Sequence, residues 1–499
     1  MPVSRSLPFC STYCLNSILS LVALLSSAVL TAKDLPVFSP EDVFEIEYAS
    51  DPRVSPDGSQ VAYVRVSMDI MTDRARRAIW VVDTDGTNHR PLVSGQGNFS
   101  SPRWSPSGDR LAYLSNAEGK TQLFVEWLDE GETARVTALP QSPRGIVWSP
   151  DGEQIAFTRL VPTKPPMLAT MPDKPKGATW AEPANVVDKM TFRLDGGGYL
   201  PSGSEQVFVV PAHGGTPRQM TSSNFPISSA ITWSPDSQSI IFSSNRRDDA
   251  EYHPRQSDLF GIALLTGQIT QITNTAGPEG HPVVSPNGRY LAYTQTADIR
   301  QGYNGAKLTI RDLTTGESRA LTTDLDRSVS DIQWSKDSKS LWISYTDLGM
   351  TRVAKIDLTG KRRQTNIVVG GTAIGRPYTS GSFSIGGKGR LAYTLGRDDR
   401  PADVALMRPG RTPLKLTDLN GDLMGQRQMT GAERITWRSS HDAMMIEGWV
   451  MKPPGFDPAK TYPMILEIHG GPHSAYGPNY STEAQLFAAA GYVVLYTNP

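Results

Sequence analysis

The chain has 499 residues, 38% of them hydrophobic, and its 49 basic and 50 acidic side chains leave a formal net charge of -1. That length exceeds one ordinary domain. The balance of charge gives no footprint for nucleic acid or an anionic surface as partner.

At the start, Arg5 precedes an apolar run from Leu15 to Ala32, and a polar stretch opens at Lys33-Asp34. Charge, apolar core and small residues in that order predict a signal peptide over 1–32, cleaved after Ala32 or Ala28, and a periplasmic or secreted body. An uncleaved anchor is the alternative reading, although the run is near the minimum for a span; after cleavage no membrane span is expected. Both cysteines, Cys10 and Cys14, fall inside this leader. The mature chain is therefore expected to hold no disulfide and no cysteine metal site. Residues 33–51 read as a segment leading into the next domain.

From residue 52 a turn flanked by strands recurs. Val54-Ser-Pro-Asp-Gly58 precedes Val61-Ala-Tyr63, and Trp104-Ser-Pro-Ser-Gly108 precedes Leu111-Ala-Tyr113. Further copies start at Trp148, Trp233 and Val284, and weaker ones at Trp334 and Ile385. Proline presets φ at the first central position, Asp or Asn caps the turn, and glycine takes the left-handed position. The third turn residues are Pro56, Pro106, Pro150, Pro235, Pro286, Lys336 and Gly387, so the intervals are 50, 44, 85, 51, 50 and 51 residues. That is the period of a four-stranded blade, and seven copies predict a seven-bladed β-propeller over 52–425. The Trp, Tyr and Phe of the motif read as packing between blades.

The interval of 85 exceeds the rest and places an insertion at about 160–205, in blade three or four. Its first half is rich in proline, and Val186 to Tyr199 returns to strand character. A loop of this size is expected to gate or line a cavity. Its Gly196-Gly-Gly198 is not followed by Lys-Ser or Lys-Thr, which argues against a phosphate cradle. Arg246-Arg-Asp-Asp-Ala-Glu251 reads as a solvated loop. No spacing of Asp, Glu and His suggests a metal site, and no cofactor is expected.

From about Met429 the pattern changes. Glu433–Arg438 and Met444–Met451 read as strands, Lys452-Pro-Pro-Gly-Phe-Asp457 as a rigid loop, and Tyr462 to Ile468 as a further strand. His469-Gly-Gly-Pro-His473 follows, then a helix over 482–490 and a continuous apolar strand over 492–497. A strand running into a glycine turn, a crossover helix and another strand describe the opening of an α/β-hydrolase sheet, here over 429–499. The fold class expected is thus mainly β: a seven-bladed propeller followed by the first part of an α/β-hydrolase domain.

Repeats of Ser-Pro-Asp-Gly, followed by Gly448-Trp-Val, Pro453-Pro-Gly, Tyr462-Pro463 and His469-Gly-Gly-Pro-His473, resemble the prolyl oligopeptidase family of serine peptidases. The acylaminoacyl-peptidase-like and dipeptidyl-peptidase-like branch is the most similar. The resemblance covers nearly everything after the leader. It implies hydrolysis of short peptides by a Ser-Asp-His triad, with the propeller restricting access. No Gly-x-Ser-x-Gly occurs in the 499 residues, so the triad is expected beyond Pro499 and this fragment is expected to be inactive. His469 and His473 precede the expected nucleophile and are poor candidates for the base. The resemblance assigns a backbone oxyanion donor to Gly471, or alternatively Gly470; a tight turn alone would also explain the pair. Glu182 in the insertion is a candidate anchor for a substrate amine. The competing reading is a non-catalytic propeller scaffold with a remnant hydrolase tail.

Overall fold

A computed structural model describes residues 35–498 except 165, 168, 170, 171, 182, 183, 229, 298–303 and 472. The expected leader, with Cys10 and Cys14, and the candidate anchor Glu182 lie outside the described residues.

Seven four-stranded antiparallel sheets follow one another in chain order, from the strand Glu47–Val54 to the strand Leu414–Lys415. The first sheet begins at Glu47, ahead of the expected boundary at 52. Glu47 to Ser50 already pair with Val64 to Ser67, and the ladder resumes at Arg53 after a bulge. Asp51 sits in that bulge with φ +48, the backbone form that inserts one unpaired residue into a strand.

The repeated turn explains itself at the atomic level. In the first copy the Gly58 N–H donates to the Ser55 carbonyl at 2.9 Å, and the Ser55 hydroxyl donates to Asp57 at 2.6 Å. Hydrogen bonds from Ser55 and the Ser59 backbone pull the Asp57 carboxyl down to about 2. Gly58 has φ +77, a region a side chain resists. In the fourth and sixth sheets Ser237 and Ser338 occupy this left-handed position instead, at φ +58 and +59. Their hydroxyls accept the Asp151 and Asn287 N–H groups of the preceding turns, at 3.2 and 3.1 Å. A tie to the neighbouring sheet thus offsets the strain.

Sheets are also joined through the tryptophan at the start of the motif. The indole N–H of Trp104, Trp148, Trp233 and Trp334 donates to the carbonyl of Arg53, Arg103, Val147 and Val283, at 2.9, 2.9, 3.2 and 2.9 Å. Each acceptor lies one residue before the matching position of the preceding sheet. The aromatic residues of the motif therefore act as packing between sheets, as expected from the pattern.

The seventh sheet packs back onto the first. Ala392, Val404 and Leu406 share a core with Val54, Val61, Tyr63 and Val82. The Val54 N–H donates to the Ser384 hydroxyl at 3.0 Å, and the Gly387 N–H to the Ser55 carbonyl at 3.1 Å. The domain is propeller-like, and its ring closes through first and last sheets.

The long interval is resolved as a connection between the second and third strands of the third sheet, Gln154–Pro162 and Gly203–Pro211. Among its described residues, a small hairpin of Arg193–Leu194 with Gly198–Tyr199 is the only paired segment. The strand character expected over 186–199 is thus confined to four residues.

After the ring, a mixed sheet runs in the order Ala432–Arg438, Met445–Met451, Val493–Asn498, Met464–Ile468. The last two pair in parallel, joined through the helix Thr482–Ala489. Ser481 caps that helix, its hydroxyl accepting the Ala484 N–H at 3.1 Å. Ala484 and Ala488 cover Trp449, Met451, Val494 and Tyr496 on one face. The other face is bare: Met464, Leu466 and Ile468 are 59%, 49% and 62% exposed.

Residues 35–46 pack beside this unit. Phe38 and Ile46 are buried with Leu423, Met424 and Tyr480, and Asp42 makes a two-point contact with the Arg427 guanidinium, both arms at 2.7 Å.

Candidate active site

The strand Met464–Ile468 ends at His469 and turns back through Gly470 and Gly471. Gly471 has φ +136, and a Cβ there would stand 2.9 Å from the His473 nitrogen and 3.1 Å from the Ser474 nitrogen. A side chain is excluded by both strain and space. Gly470 is different: a Cβ would meet nothing within 4 Å.

The two amides differ as well. The Gly470 N–H donates to the Tyr378 hydroxyl at 3.3 Å. For Gly471, no acceptor for the N–H is found among the described residues, and the residue is exposed. Of the two glycines named as oxyanion donors, Gly471 therefore presents the available N–H and Gly470 does not. The His469 Nδ1 lies 3.1 Å from the Gly470 carbonyl, which makes Nδ1 the donor, and the ring packs edge-on against Tyr476 at 5.2 Å. His469 thus braces the turn.

The chain returning from the turn lies on the propeller-like domain. The Thr379 N–H donates to the Ala475 carbonyl at 2.9 Å and the Gly477 N–H to the Pro377 carbonyl at 3.0 Å, so Tyr378 and Tyr476 face each other as an antiparallel pair. Their rings are 4.9 Å apart. On the outgoing side, Arg376 pairs with Glu467 at 3.1 Å, and that carboxylate holds the guanidinium above its usual range. Tyr476 is fully buried, and burial pushes its phenol up to about 12; it stays neutral. Asn498 completes the frame by accepting the Tyr476 N–H at 2.8 Å and donating to its carbonyl at 3.0 Å.

Backbone contact is closest at Gly349, in the hairpin tip of the sixth sheet. A Cβ on Gly477 would lie 1.7 Å from the Gly349 carbonyl oxygen, and one on Gly349 would lie 2.5 Å from the Trp449 ring. Thr372–Ala373 also pairs in parallel with Tyr480–Ser481. These contacts set the C-terminal sheet on the end of the ring that carries the connections between second and third strands. The insertion of the third sheet belongs to that same end.

Sequence reasoning found the glycine turn and missed Arg376, Tyr378 and Glu467. Gly375-Arg-Pro-Tyr378 lies in the connection between the sixth and seventh sheets, where no repeat drew attention to it. Among the described residues no group of three or more His, Cys, Asp or Glu side chains could hold a metal, and no helix is long and apolar enough to cross a membrane.

The architecture is thus a propeller-like ring followed by a mixed sheet, one strand of which runs into a glycine turn. The TolB beta propeller domain family matches residues 58–165, and the dipeptidyl peptidase IV N-terminal region matches 179–300. An uncharacterized peptidase, YuxL, of Bacillus subtilis is 29% identical over 92% of this chain and 70% of its own length. Dipeptidyl-peptidase 5 of Porphyromonas gingivalis is 26% identical over 92% of this chain and 67% of its own. Among solved structures, the acylaminoacyl peptidase of Pyrococcus horikoshii superposes with a TM-score of 0.72 at 19% identity, covering 93% of this chain and 67% of that one. Together these likenesses support a reading of the chain as a peptidase of the prolyl oligopeptidase family.

Proposed function

We propose that this chain supplies the access domain and the first hydrolase strands of an exported serine peptidase acting on short peptides in the periplasm or outside the cell. Each of the seven sheets counts as one blade of the propeller. The nucleophile, acid and base come from sequence after residue 499. In that enzyme serine attacks the peptide carbonyl, histidine carries the proton to the leaving amine, and water releases the acyl group. The Gly471 N–H donates to the tetrahedral oxyanion, and the ring narrows the approach so that folded proteins are excluded. Whether acylated or free-amine peptides are taken is decided by residues near the insertion, where Glu182 remains the proposed anchor.

The observation that carries this reading is the Gly471 turn: an available N–H, held at φ +136 at the exposed end of a strand. The bare face of Met464, Leu466 and Ile468 supports it too, since sheets with parallel strands are ordinarily covered on both sides. The test is enzymatic. The 499-residue chain is expected to turn over no dipeptidyl or acylaminoacyl chromogenic substrate. The chain extended by the sequence that follows it in the gene is expected to do so and to be blocked by a serine-reactive inhibitor. In that extended enzyme Gly471→Ala re-aims the donor and is expected to lower kcat about 100-fold, the scale of losing one oxyanion donor. Activity of the short chain, or none in the extended one, overturns the reading; the latter outcome favours the scaffold alternative.

A further inference from the structure

The turn that carries Gly471 belongs to the C-terminal sheet, yet it is held in part from outside that sheet. Within the sheet, Met464 to Ile468 are held by pairing with Val493 to Thr497, and that ladder stops at Ile468. Among the described residues from His469 to Ser474 no ladder continues. The connection between the sixth and seventh sheets supplies most of the supports that follow: Arg376 on Glu467, the Tyr378 hydroxyl on the Gly470 N–H, and the Pro377 and Thr379 backbone on Gly477 and Ala475; the sheet itself adds the two Asn498 bonds to Tyr476.

The Tyr378 contact is the one that reaches the glycines themselves. The Gly470 N–H lies in the peptide plane between His469 and Gly470, so the Tyr378 bond holds that plane, and the next plane, which carries both the Gly470 carbonyl and the Gly471 N–H, is held by the His469 Nδ1 bond to that carbonyl at 3.1 Å. With the first plane held by Tyr378 and the second by His469, the direction of the Gly471 N–H is set. Occupying the Gly470 N–H also leaves a single donor, rather than two, for an incoming carbonyl.

From this geometry we infer that Tyr378, with Arg376 beside it, is a positioning residue for the oxyanion turn, contributed by the propeller-like domain and acting through the Gly470 N–H. The inference rests on the serine-peptidase reading above. It gives the ring a part in the chemistry besides control of access: the donor at Gly471 is aimed only while Pro377 to Thr379 lie against Ala475 to Gly477. Arg376 acts on the same turn through Glu467, which is 14% exposed and lies one residue before the end of the strand.

Two measurements test it. In the 499-residue chain, Tyr378→Phe removes the acceptor and keeps the ring contact with Tyr476. Amide exchange at Gly470 is expected to quicken at least threefold, with Gly477 and the Met464–Ile468 amides unchanged. In the extended enzyme the same substitution is expected to lower kcat about tenfold with KM and the thermal midpoint unchanged. Arg376→Met is expected to shift kcat in the same direction, and Arg376→Lys to restore most of it. Unchanged exchange at Gly470 overturns the hydrogen bond, and quickened exchange with unchanged kcat overturns the positioning role. Exchange is read without any turnover, so an extended enzyme that lacks peptidase activity would count against the proposed function while the exchange result still decides the contact.

Discussion

Closure of the ring depends on two turns meeting without side chains between them. A Cβ added at Gly387 in the seventh sheet would stand 2.3 Å from the Asp57 carbonyl carbon and 2.4 Å from both the Gly58 nitrogen and the Pro56 oxygen. All three are backbone atoms, so no rotamer change relieves the overlap. Restoring ordinary contact requires the turns to part by roughly 1 Å, which breaks the 3.1 Å bond from the Gly387 N–H to the Ser55 carbonyl. It also disturbs the Arg390 guanidinium, which donates to the Gly58 carbonyl and the Thr84 hydroxyl. Overpacking costs about 1–3 kcal/mol and the hydrogen bond about 1 kcal/mol, so Gly387→Ala is expected to weaken closure by roughly 2–4 kcal/mol. At 1.4 kcal/mol per tenfold, that raises the opening equilibrium by about 30- to 700-fold. Hydrogen exchange is the assay, because a chain of this size does not melt as one unit. Amides of Gln60–Asp69 and Leu391–Arg397 should lose protection by that factor, while those of the fourth sheet hold theirs. Gly410→Ala is the control: its φ is +69 but nothing lies within 4 Å of an added Cβ, so it carries backbone strain alone. If Gly387→Ala leaves exchange in the first and seventh sheets within twofold of the parent, the close approach does not hold the ring and the reasoning fails.

Two other perturbations probe separate joints. Trp334→Phe removes the N–H that reaches the Val283 carbonyl at 2.9 Å and leaves that carbonyl without its donor, so stability in urea should fall by about 1–2 kcal/mol. The half-exposed Trp437, changed likewise, is the comparison and should shift less. Asp42→Asn breaks the ion pair that ties residues 35–46 to Arg427. The Arg427 hydrogen bond holds the Asp42 carboxyl below its usual range, and its side chain is only 3% exposed. A depressed carboxyl contributes stability above its unfolded value, about 3.9, and loses it as pH falls through the lower folded value. The variant should therefore be less stable by about 1–3 kcal/mol at pH 7, with the gap closing as pH drops below about 4. A gap that persists at pH 2 would show that the ionised pair is not its source.

What the sequence made legible were features with a local cause. Ser-Pro-Asp-Gly at Val54, Trp148 and elsewhere announces its own turn, because proline, a capping carboxylate and glycine act within four residues. The short alternation after it marks a strand. The strands of the C-terminal sheet were placed to within about two residues by their apolar runs. The start of the first sheet was misplaced because Asp51 has an unexceptional sequence context for a bulge. Tyr378 stayed hidden for a different reason. The interval from Lys336 to Gly387 is 51 residues, matching its neighbours at 50 and 51, yet the sixth sheet distributes them unusually. Its second and third strands, Ser340–Asp347 and Met350–Asp357, are joined by Leu348-Gly349 alone. The residues saved there lengthen the connection from Gln364 to Phe383, which carries Arg376 and Tyr378. A constant period concealed a transfer of length from one end of the sheet to the other. Whether a serine replaces glycine in a turn for lack of constraint or to reach a neighbour was likewise unreadable, since the Asp151 and Asn287 N–H groups bonded by Ser237 and Ser338 come from other repeats.

That transfer bears on why the site sits where it does. Antiparallel sheets place the Ser-Pro-Asp-Gly turns at one end of the ring and the connections between second and third strands at the other. The first end is constrained in every direction, by the tryptophan bonds, by Ser237 and Ser338, and by the Gly58 and Gly387 contact, so length cannot vary there without breaking a neighbour. The second end is free of those ties, and its connections run from two residues at Leu348-Gly349 to forty at 163–202. The C-terminal sheet docks on the shortest of them: Gly349 reaches Trp449, and Asp398, in the tight tip of the seventh sheet, accepts the Ala432 N–H at 2.6 Å. Short tips let the backbone of the C-terminal unit approach closely enough for Tyr378 to reach Gly470. The long connection belongs to the third sheet, well round the ring from the sixth and seventh, and there it leans on its neighbour, with the Met190 N–H 3.3 Å from Glu251. It exposes Trp180, Phe192 and Tyr199, apolar surface that a peptide could contact. One end of the ring thus holds both the rigid seat for the Gly471 turn and the longest connection, because it is the end the repeat leaves unconstrained.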